Sequence, residues 1–453
     1  MMRGLLESVV VSVVVLSSCS SDDAGESPDA TTDANPGPRD AGSDTARTDA
    51  GWSHWSGTEV PPPTWTLPPC AVAYDAIDRV VTSNGSRIPG EALPPRITAT
   101  AARDGRLVLA WNGGWGTVDG GAYRSLPEDD VHRGRGLSGV SVDAAAARAL
   151  SVTSEGMFLV EASDVVRIVE VALGEIEPRT GQWTHRATSG EIDAIALLYE
   201  PTASDYLLAA GRLTTDGTLV GTLRWLGERP FYDDQHKLVV VEDGGRYLTV
   251  RTFECDTCDP PADIEIVPFD VETVGTARTL GSLPGLNEHY IQHITAARDG
   301  DVAVIAWGSA PNHPPLYTVV AEVDMGTGAT VAEPYVLGTA HGPEQLTSSP
   351  GGGVDLVRQP VTPDEVWFDE LLNTDNPLEV YIGIERPLSL DGHTPLRLGA
   401  GAWGWNVQTA RDGDRLLVVW EEQGPATERD ERGNRLIVQG LYWAILEGCA
   451  PTR

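Results

Sequence analysis

The chain has 453 residues, with Lys+Arg 32 against Asp+Glu 66 and a formal net charge of −34. That length suits one large repeat domain or two to three ordinary ones. So negative a surface repels nucleic acid and bare anionic lipid, and neither is expected as a partner.

At the N-terminus, Arg3 precedes a segment that is apolar from Val9 to Leu16, interrupted only by Ser12. The run is far shorter than the ~20 residues a helix needs to cross a bilayer. A basic start, a short apolar centre and small residues make a secretory signal over residues 1–18. Leu16-Ser17-Ser18-Cys19 then resembles the lipobox of bacterial lipoproteins. That resemblance implies that Cys19 is acylated, becomes the first mature residue and anchors the chain in a membrane. Ser20, standing where an Asp would favour retention in the inner membrane, implies the outer membrane of a Gram-negative cell envelope.

Residues 19–66 are rich in Asp, Ala, Ser, Thr, Pro and Gly, and Asp-Ala-Gly recurs at Asp23, Asp40 and Asp49. With few apolar side chains to bury, this stretch is expected to be a disordered acidic tether. At about 5–6 Å × √n it would hold the domain ~35–40 Å from the membrane. Trp52, Trp55 and Trp65, flanking Pro61-Pro62-Pro63, mark where the tether settles onto the domain.

Residues 67–453 carry a repeat. Thr100-Ala-Ala-Arg-Asp-Gly leads through an apolar run to Trp111, Thr295-Ala-Ala-Arg-Asp-Gly to Trp307, and Thr409-Ala-Arg-Asp-Gly to Trp420. Each copy reads as a strand, an Asp-Gly turn and a second strand ending in Trp; Gly supplies the positive φ such a turn needs. The second strand is apolar without alternation, as expected where protein covers both faces. Weaker hairpins run over 142–153, 195–212, 239–253 and 346–358. The turns then fall near 104, 147, 204, 244, 299, 351 and 412, in units of about 49 to 56 residues, close to the length of a propeller blade. Helical periodicity is almost absent. The expectation is an all-β fold, a β-propeller of seven four-stranded blades. The Gly-His…Trp-Asp signature of WD40 repeats and the Asp-boxes of sialidases are both missing, so the resemblance is to bacterial propeller lipoproteins in general.

Five cysteines are present, and beyond Cys19 an even number remains in a chain that reads as exported, which favours disulfides over metal. Cys70 and Cys449 bracket the repeats; in a closed ring the two are neighbours, and a disulfide there would be worth about 4–5 kcal/mol in the chain-entropy model. Cys255 and Cys258 form Cys-Asp-Thr-Cys ahead of Asp259-Pro260-Pro261, which blocks the helix a redox thiol needs, so a local disulfide is expected.

No metalloprotease, nucleophile-elbow or phosphate-loop motif occurs. His289 and His293, four apart on a strand, lie ~13 Å from each other, too far to share a metal. No cofactor is expected, with calcium left open at the acidic loops 364–370 and 428–431. If the first strand of each hairpin is innermost, the loops entering these strands carry Arg96, Glu191, His236, His289, Glu344 and Trp405, a mixed rim suited to a polar ligand. The functional expectation is a monomeric, membrane-anchored binding or scaffold module with a glycan or protein ligand. The alternative is a propeller hydrolase or lyase acting on glycans, which requires converging carboxylates.

Overall fold

A computed structural model of the chain describes residues 11–12 and most of 67–452. Outside the described residues lie 1–10, 13–66, 84–96, 126–136, 230–237, 255–261, 281–289, 311–316, 361–376, 430–434 and several shorter stretches.

The described elements are strands, in keeping with the all-β expectation. In chain order they are β1 (Val11–Ser12), β2 (Ala71–Ser83), β3 (Ile97–Arg103), β4 (Arg106–Trp111), β5 (Gly114–Thr117) and β6 (Ala122–Ser125). Next come β7 (Leu137–Val142), β8 (Ala147–Thr153), β9 (Gly156–Ala162), β10 (Val166–Val171), β11 (Glu177–His185), β12 (Glu191–Glu200), β13 (Asp205–Thr214) and β14 (Leu219–Arg229). The middle of the chain forms β15 (Leu238–Asp243), β16 (Arg246–Glu254), β17 (Ala262–Asp270), β18 (Arg278–Leu280), β19 (Tyr290–Asp299), β20 (Val302–Ala310) and β21 (Tyr317–Asp324). The rest are β22 (Thr330–Ser348), β23 (Val354–Pro360), β24 (Leu378–Ile384), β25 (Leu396–Leu398), β26 (Trp403–Asp412), β27 (Arg415–Arg429) and β28 (Arg435–Glu447).

Consecutive strands pair antiparallel into the sheets β3–β6, β7–β10, β11–β14, β15–β18 and β19–β25, while β26, β27 and β28 take β2 as their outermost strand. The first strands touch in succession: β3 meets β7, β7 meets β11, β11 meets β15, β15 meets β19, β19 meets β22, β22 meets β26, and β26 returns to β3. Sheets arranged radially about one axis are a β-propeller. Val11–Ser12 pairs with the free edge of β15 (Val11↔Val240, Ser12↔Val239), and its backbone also lies beside β3, β7, β11 and β26, which puts it on the axis.

Hydrogen bonding divides the described strands into six sheets, not the seven expected. The physical reason is β22. Its residues up to Thr339 pair with β21, and those from Ala340 onward pair with β23, so one continuous strand joins two units into a seven-stranded sheet.

The cores lie between neighbouring sheets. Val239, Val241, Leu248 and Ile266 pack against Ile294, Ile305, Trp307 and Val319. On the other face of the same strands, Val240 and Val267 join a cluster with Ala210 of β13. Alternate residues of one strand thus serve two different interfaces, which accounts for the unbroken apolar runs. The repeated tryptophans have one role. Trp307 enters the cluster shared with β15–β17, Trp420 that shared with β23–β24, and Trp111 that shared with β27–β28, so each indole packs against the preceding sheet.

The clasp expected of Cys70 and Cys449 is present, a disulfide with Cα atoms 5.4 Å apart and a sequence separation of 379. It sits at the end of the β2–β28 pairing, which runs from Ala71↔Leu446 to Ser83↔Leu436. The strand that opens the domain therefore completes the sheet that ends it.

Two details of the repeat differ from expectation. In the second and third copies the aspartate is the last paired residue (Asp299↔Val302, Asp412↔Arg415), so the corner is Gly-Asp rather than Asp-Gly. Gly300 and Gly413 take φ 64 and 60 there. In the first copy the last pair is Arg103↔Arg106, so the ladder ends one residue before the aspartate. The hairpin over 195–212 is β12–β13, which is not the inner pair of its sheet; the first strand there is β11, whose Glu-Pro-Arg-Thr-Gly-Gln-Trp-Thr-His has too few apolar residues to stand out.

Candidate functional site

The first strands run in one sense along the axis, so the domain has a turn end, where the Gly-Asp corners lie, and an entry end, where the chain joins each first strand. The two ends differ in chemistry.

At the turn end the Arg-Asp-Gly triplet links neighbouring units. Arg298 pairs with Asp243 of the preceding sheet, and Arg411 pairs with Asp355 of the preceding unit. The aspartates reach the other way. Asp299 accepts the Gly353 N–H at 2.9 Å from the next turn, and Asp412 accepts the Gly105 N–H across the junction between the last sheet and the first. Asp299 also accepts from Arg386 Nε at 2.6 Å, and Arg386 Nη1 donates to Glu322 at 3.1 Å. Tyr335 donates to Glu322 and accepts the Leu388 N–H at 2.7 Å; burial pushes its hydroxyl up to about 12, which keeps it neutral. Every carboxylate of this network is engaged by a neighbouring unit. It is a structural seam, not a reactive site.

Asp355 is the most deeply buried member, 1% exposed. Burial raises its pKa to about 6 against the opposing pull of Arg411 and of the Gly383 N–H it accepts at 2.9 Å. A carboxyl whose folded pKa lies above its unfolded value of 3.8 gives a contribution that is complete below that value and is lost as pH rises through about 6. Denaturant midpoints of the wild type and Asp355→Asn should therefore separate to the wild type's disadvantage between pH 4 and pH 7. A wild-type midpoint that rises relative to that of Asp355→Asn over that window would contradict this account.

At the entry end, β26 and β3 are joined by a buried polar cluster. The Glu421 carboxylate accepts from Ile97 N–H at 2.9 Å and from Asn406 Nδ2 at 3.3 Å, and the same Nδ2 donates to the Ile97 carbonyl at 3.0 Å. Glu421 is 9% exposed and Asn406 5%. Withdrawing a carboxylate from water costs several kcal/mol unless hydrogen bonds replace hydration, and here a backbone amide and a side-chain amide do so. Sequence reasoning missed Glu421. Its signal was available: it follows Trp420, whereas the residues after Trp111 and Trp307 are the uncharged Asn112 and Gly308.

The rim expected from sequence is partly rearranged. Trp405 is the chain neighbour of Asn406, so this cluster holds its backbone on β26, the first strand beside β3. Glu344 lies in the half of β22 that pairs with β23, toward the entry end and beside β26. Glu191 does not belong to the rim. It opens β12, which runs antiparallel to β11, and so stands at the turn end. Arg96, His236 and His289 lie outside the described residues, as do Cys19, Cys255 and Cys258, and so do the side chains of Glu191, Glu344, Trp405 and His293. The loop 364–370 and the side chains of 428–431 also lie outside them. Among the described residues no group of three His, Cys, Asp or Glu side chains is placed to hold a metal.

The fold and site define a β-propeller with a buried carboxylate–amide cluster at its entry end. No protein-family model matches the chain, and no curated protein matches it. Solved structures similar in fold include an α-L-arabinanase of Penicillium chrysogenum complexed with arabinobiose, 12% identical, with TM-score 0.42 over 84% of this chain and 99% of that one. The α-L-arabinofuranosidase Arb93A of Fusarium graminearum is 8% identical, with TM-score 0.41 over 82% and 98%. A subtype N11 neuraminidase-like protein from a flat-faced bat virus is 10% identical, with TM-score 0.39 over 70% and 88%. These likenesses are of fold alone; the propeller architecture rests on the sheets and their order about the axis.

Proposed function

We propose that this chain is a lipid-anchored, extracytoplasmic β-propeller that acts on a glycan at its entry end, as a hydrolase or lyase. The observation that carries the reading is Glu421. Glu421 also helps to join β26 and β27 to β3, but a side-chain amide could accept the Ile97 N–H there at a lower desolvation cost than a carboxylate. A site for glycosidic chemistry needs such a group, held by fixed donors, and a second carboxylate facing it. Glu344, on the neighbouring first strand toward the same end, is our choice for that second group. Arg96 and Trp405 fit the same role as substrate holders, through hydroxyl hydrogen bonds and ring stacking. Cys19 remains the anchor in this reading, with residues 19–66 as tether and the outer membrane as location. A monomer that does not bind nucleic acid, with a second disulfide at Cys255 and Cys258, completes the proposal.

We propose seven blades, counting the β19–β25 sheet as two units sharing β22. The closed succession of first strands from β3 to β26 supports that count.

The test is reducing-sugar release from neutral and acidic polysaccharides, arabinan among them. The wild type is expected to cleave at least one, while Glu421→Gln and Glu344→Gln each lose about 10²–10⁴-fold in rate, the range of a positioned acid–base group. Retained binding with no cleavage by the wild type would return the binding-module reading. Full activity in both variants would remove these carboxylates from the mechanism.

A further inference from the structure

The joints between neighbouring first strands use their buried polar side chains differently. Between β19 and β22 the Thr295 hydroxyl accepts the Leu346 N–H at 2.9 Å, and between β22 and β26 the hydroxyls of Thr347 and Thr409 bond to each other. Both joints close by direct contact. Between β26 and β3, where the last sheet meets the first, two facing groups do not bond. Both atoms of the Gln408 amide on β26 and the Thr100 hydroxyl on β3 have no hydrogen-bond partner among the described residues, and both residues are 0% exposed.

That the two face each other follows from the register. Toward the entry end the joint is pinned by Asn406 Nδ2, which donates to the Ile97 carbonyl at 3.0 Å; at the turn end the Gly105 N–H donates to Asp412. Between these points Ala410 and Ala102 pack in one cluster. A strand returns to the same face every second residue, so Gln408 and Thr100 are the next side chains toward the entry end on that face. Their ladder partners Val419 and Leu109 belong to the same cluster, as does Trp443, which pairs with Val419 from β28. The Trp443 indole N–H, on a residue 6% exposed, also has no partner among the described residues. Asn406, and Glu421 with it, stand one step nearer the entry end.

We infer that the closing joint of the ring is a bound-water site, with about two molecules held between the Gln408 amide, the Thr100 hydroxyl and the Trp443 N–H. The chemistry of the groups selects the ligand. An amide oxygen accepts, amide and indole N–H groups donate, and a hydroxyl does both. An interior water makes about three hydrogen bonds and uses both kinds of partner. The N–H groups repel a cation, and the amide oxygen and the nearby Glu421 carboxylate repel an anion. An organic ligand has no way in, because the residues concerned are buried and the joint is pinned at both ends. Leaving these groups dry would cost the fold their full desolvation, and apolar side chains would fill the space without that cost. The inference concerns how the ring closes and does not depend on the glycan reading.

The test is a high-resolution crystal structure of the protein, together with a count of long-lived interior waters by magnetic relaxation dispersion of the water oxygen. The crystal structure should show solvent within hydrogen-bond distance of both Gln408 and Thr100. Gln408→Met and Thr100→Val keep side chains of similar size without these polar atoms, and the double variant should lose about two long-lived waters. Thr100→Ser keeps the hydroxyl and should keep the count. Gln408→Met alone should melt roughly 1–3 °C lower, because it strands the other two groups; an amide that is unpaired in the native protein would give the opposite sign. A direct Gln408–Thr100 hydrogen bond with no solvent between them overturns the inference. So does an unchanged water count in the double variant, or a higher Tm for Gln408→Met. Should the double variant fail to fold, the wild-type crystal structure decides alone.

Discussion

Replacing Cys70 and Cys449 together by serine is expected to lower the unfolding free energy by about 4–5 kcal/mol, the chain-entropy value for so long a loop. The disulfide closes 379 residues of sequence separation; the β2–β28 ladder and the contacts of β3 with β26 and β27 carry the rest of the closure. β2 is the outer edge of its sheet, paired with β28 alone, and Val72 and Tyr74 on it are 57% and 47% exposed. Of its described apolar side chains, Ala71, Ala73 and Ile77 are only partly buried against the cores, so once the bond is gone the ring should open there first. Two measurements check this. Equilibrium denaturation should show the full loss, and limited proteolysis should cut the variant within or beside residues 71–83 before any other strand. A loss under about 1 kcal/mol, or first cleavage elsewhere, would mean that the β2–β28 ladder closes the ring unaided.

The disulfide was legible in sequence because ring closure forces the ends of a repeat domain together, and the two cysteines bracket the repeats. The hairpins at Asp299 and Asp412 were legible for a similar reason: their apolar second strands and the glycine after each aspartate are local signals. β11 was not. It has only Trp183 as a large apolar side chain, and its place in the circuit comes from pairing with β12 and contact with β7 and β15, which no local pattern encodes. That omission displaced Glu191 to the wrong end, because an antiparallel neighbour reverses the end at which a strand begins. The fusion of two units through β22 escaped notice because Pro334, Gly338 and Gly342-Pro343 read as breaks between strands, yet the nineteen residues run on as one strand. Glu421 was hidden by the opposite effect. An acidic residue after an apolar run reads as a solvated strand end, and its burial comes from Asn406 and Ile97, 15 and 324 residues away in sequence.

Arg-Asp-Gly carries more than a turn, and its aspartates should be unequal in consequence. Asp299→Ala is expected to cost roughly 2–4 kcal/mol. It removes the acceptor of the part-buried Gly353 N–H and one of the two carboxylates around Arg386. Arg386 keeps Glu322, so the full penalty of an isolated buried cation is not reached. Asp412→Ala should cost less, about 1 kcal/mol, because the Gly105 N–H it serves is exposed and water replaces the lost acceptor. Asp299→Asn keeps an acceptor for Gly353 while giving up the charge toward Arg386, and should fall between wild type and alanine. A turn-geometry explanation predicts no difference between the two alanine variants. At Asp299 and Asp412 the corner is Gly-Asp and the aspartate is the last paired strand residue, so geometry alone would make both alanine variants equally mild. Urea midpoints for the three variants decide between the two. If Asp412→Ala matches or exceeds Asp299→Ala, the aspartates do not act by joining neighbouring units. If the predicted order holds, what recurs in this sequence is the joint between units rather than the corner within each.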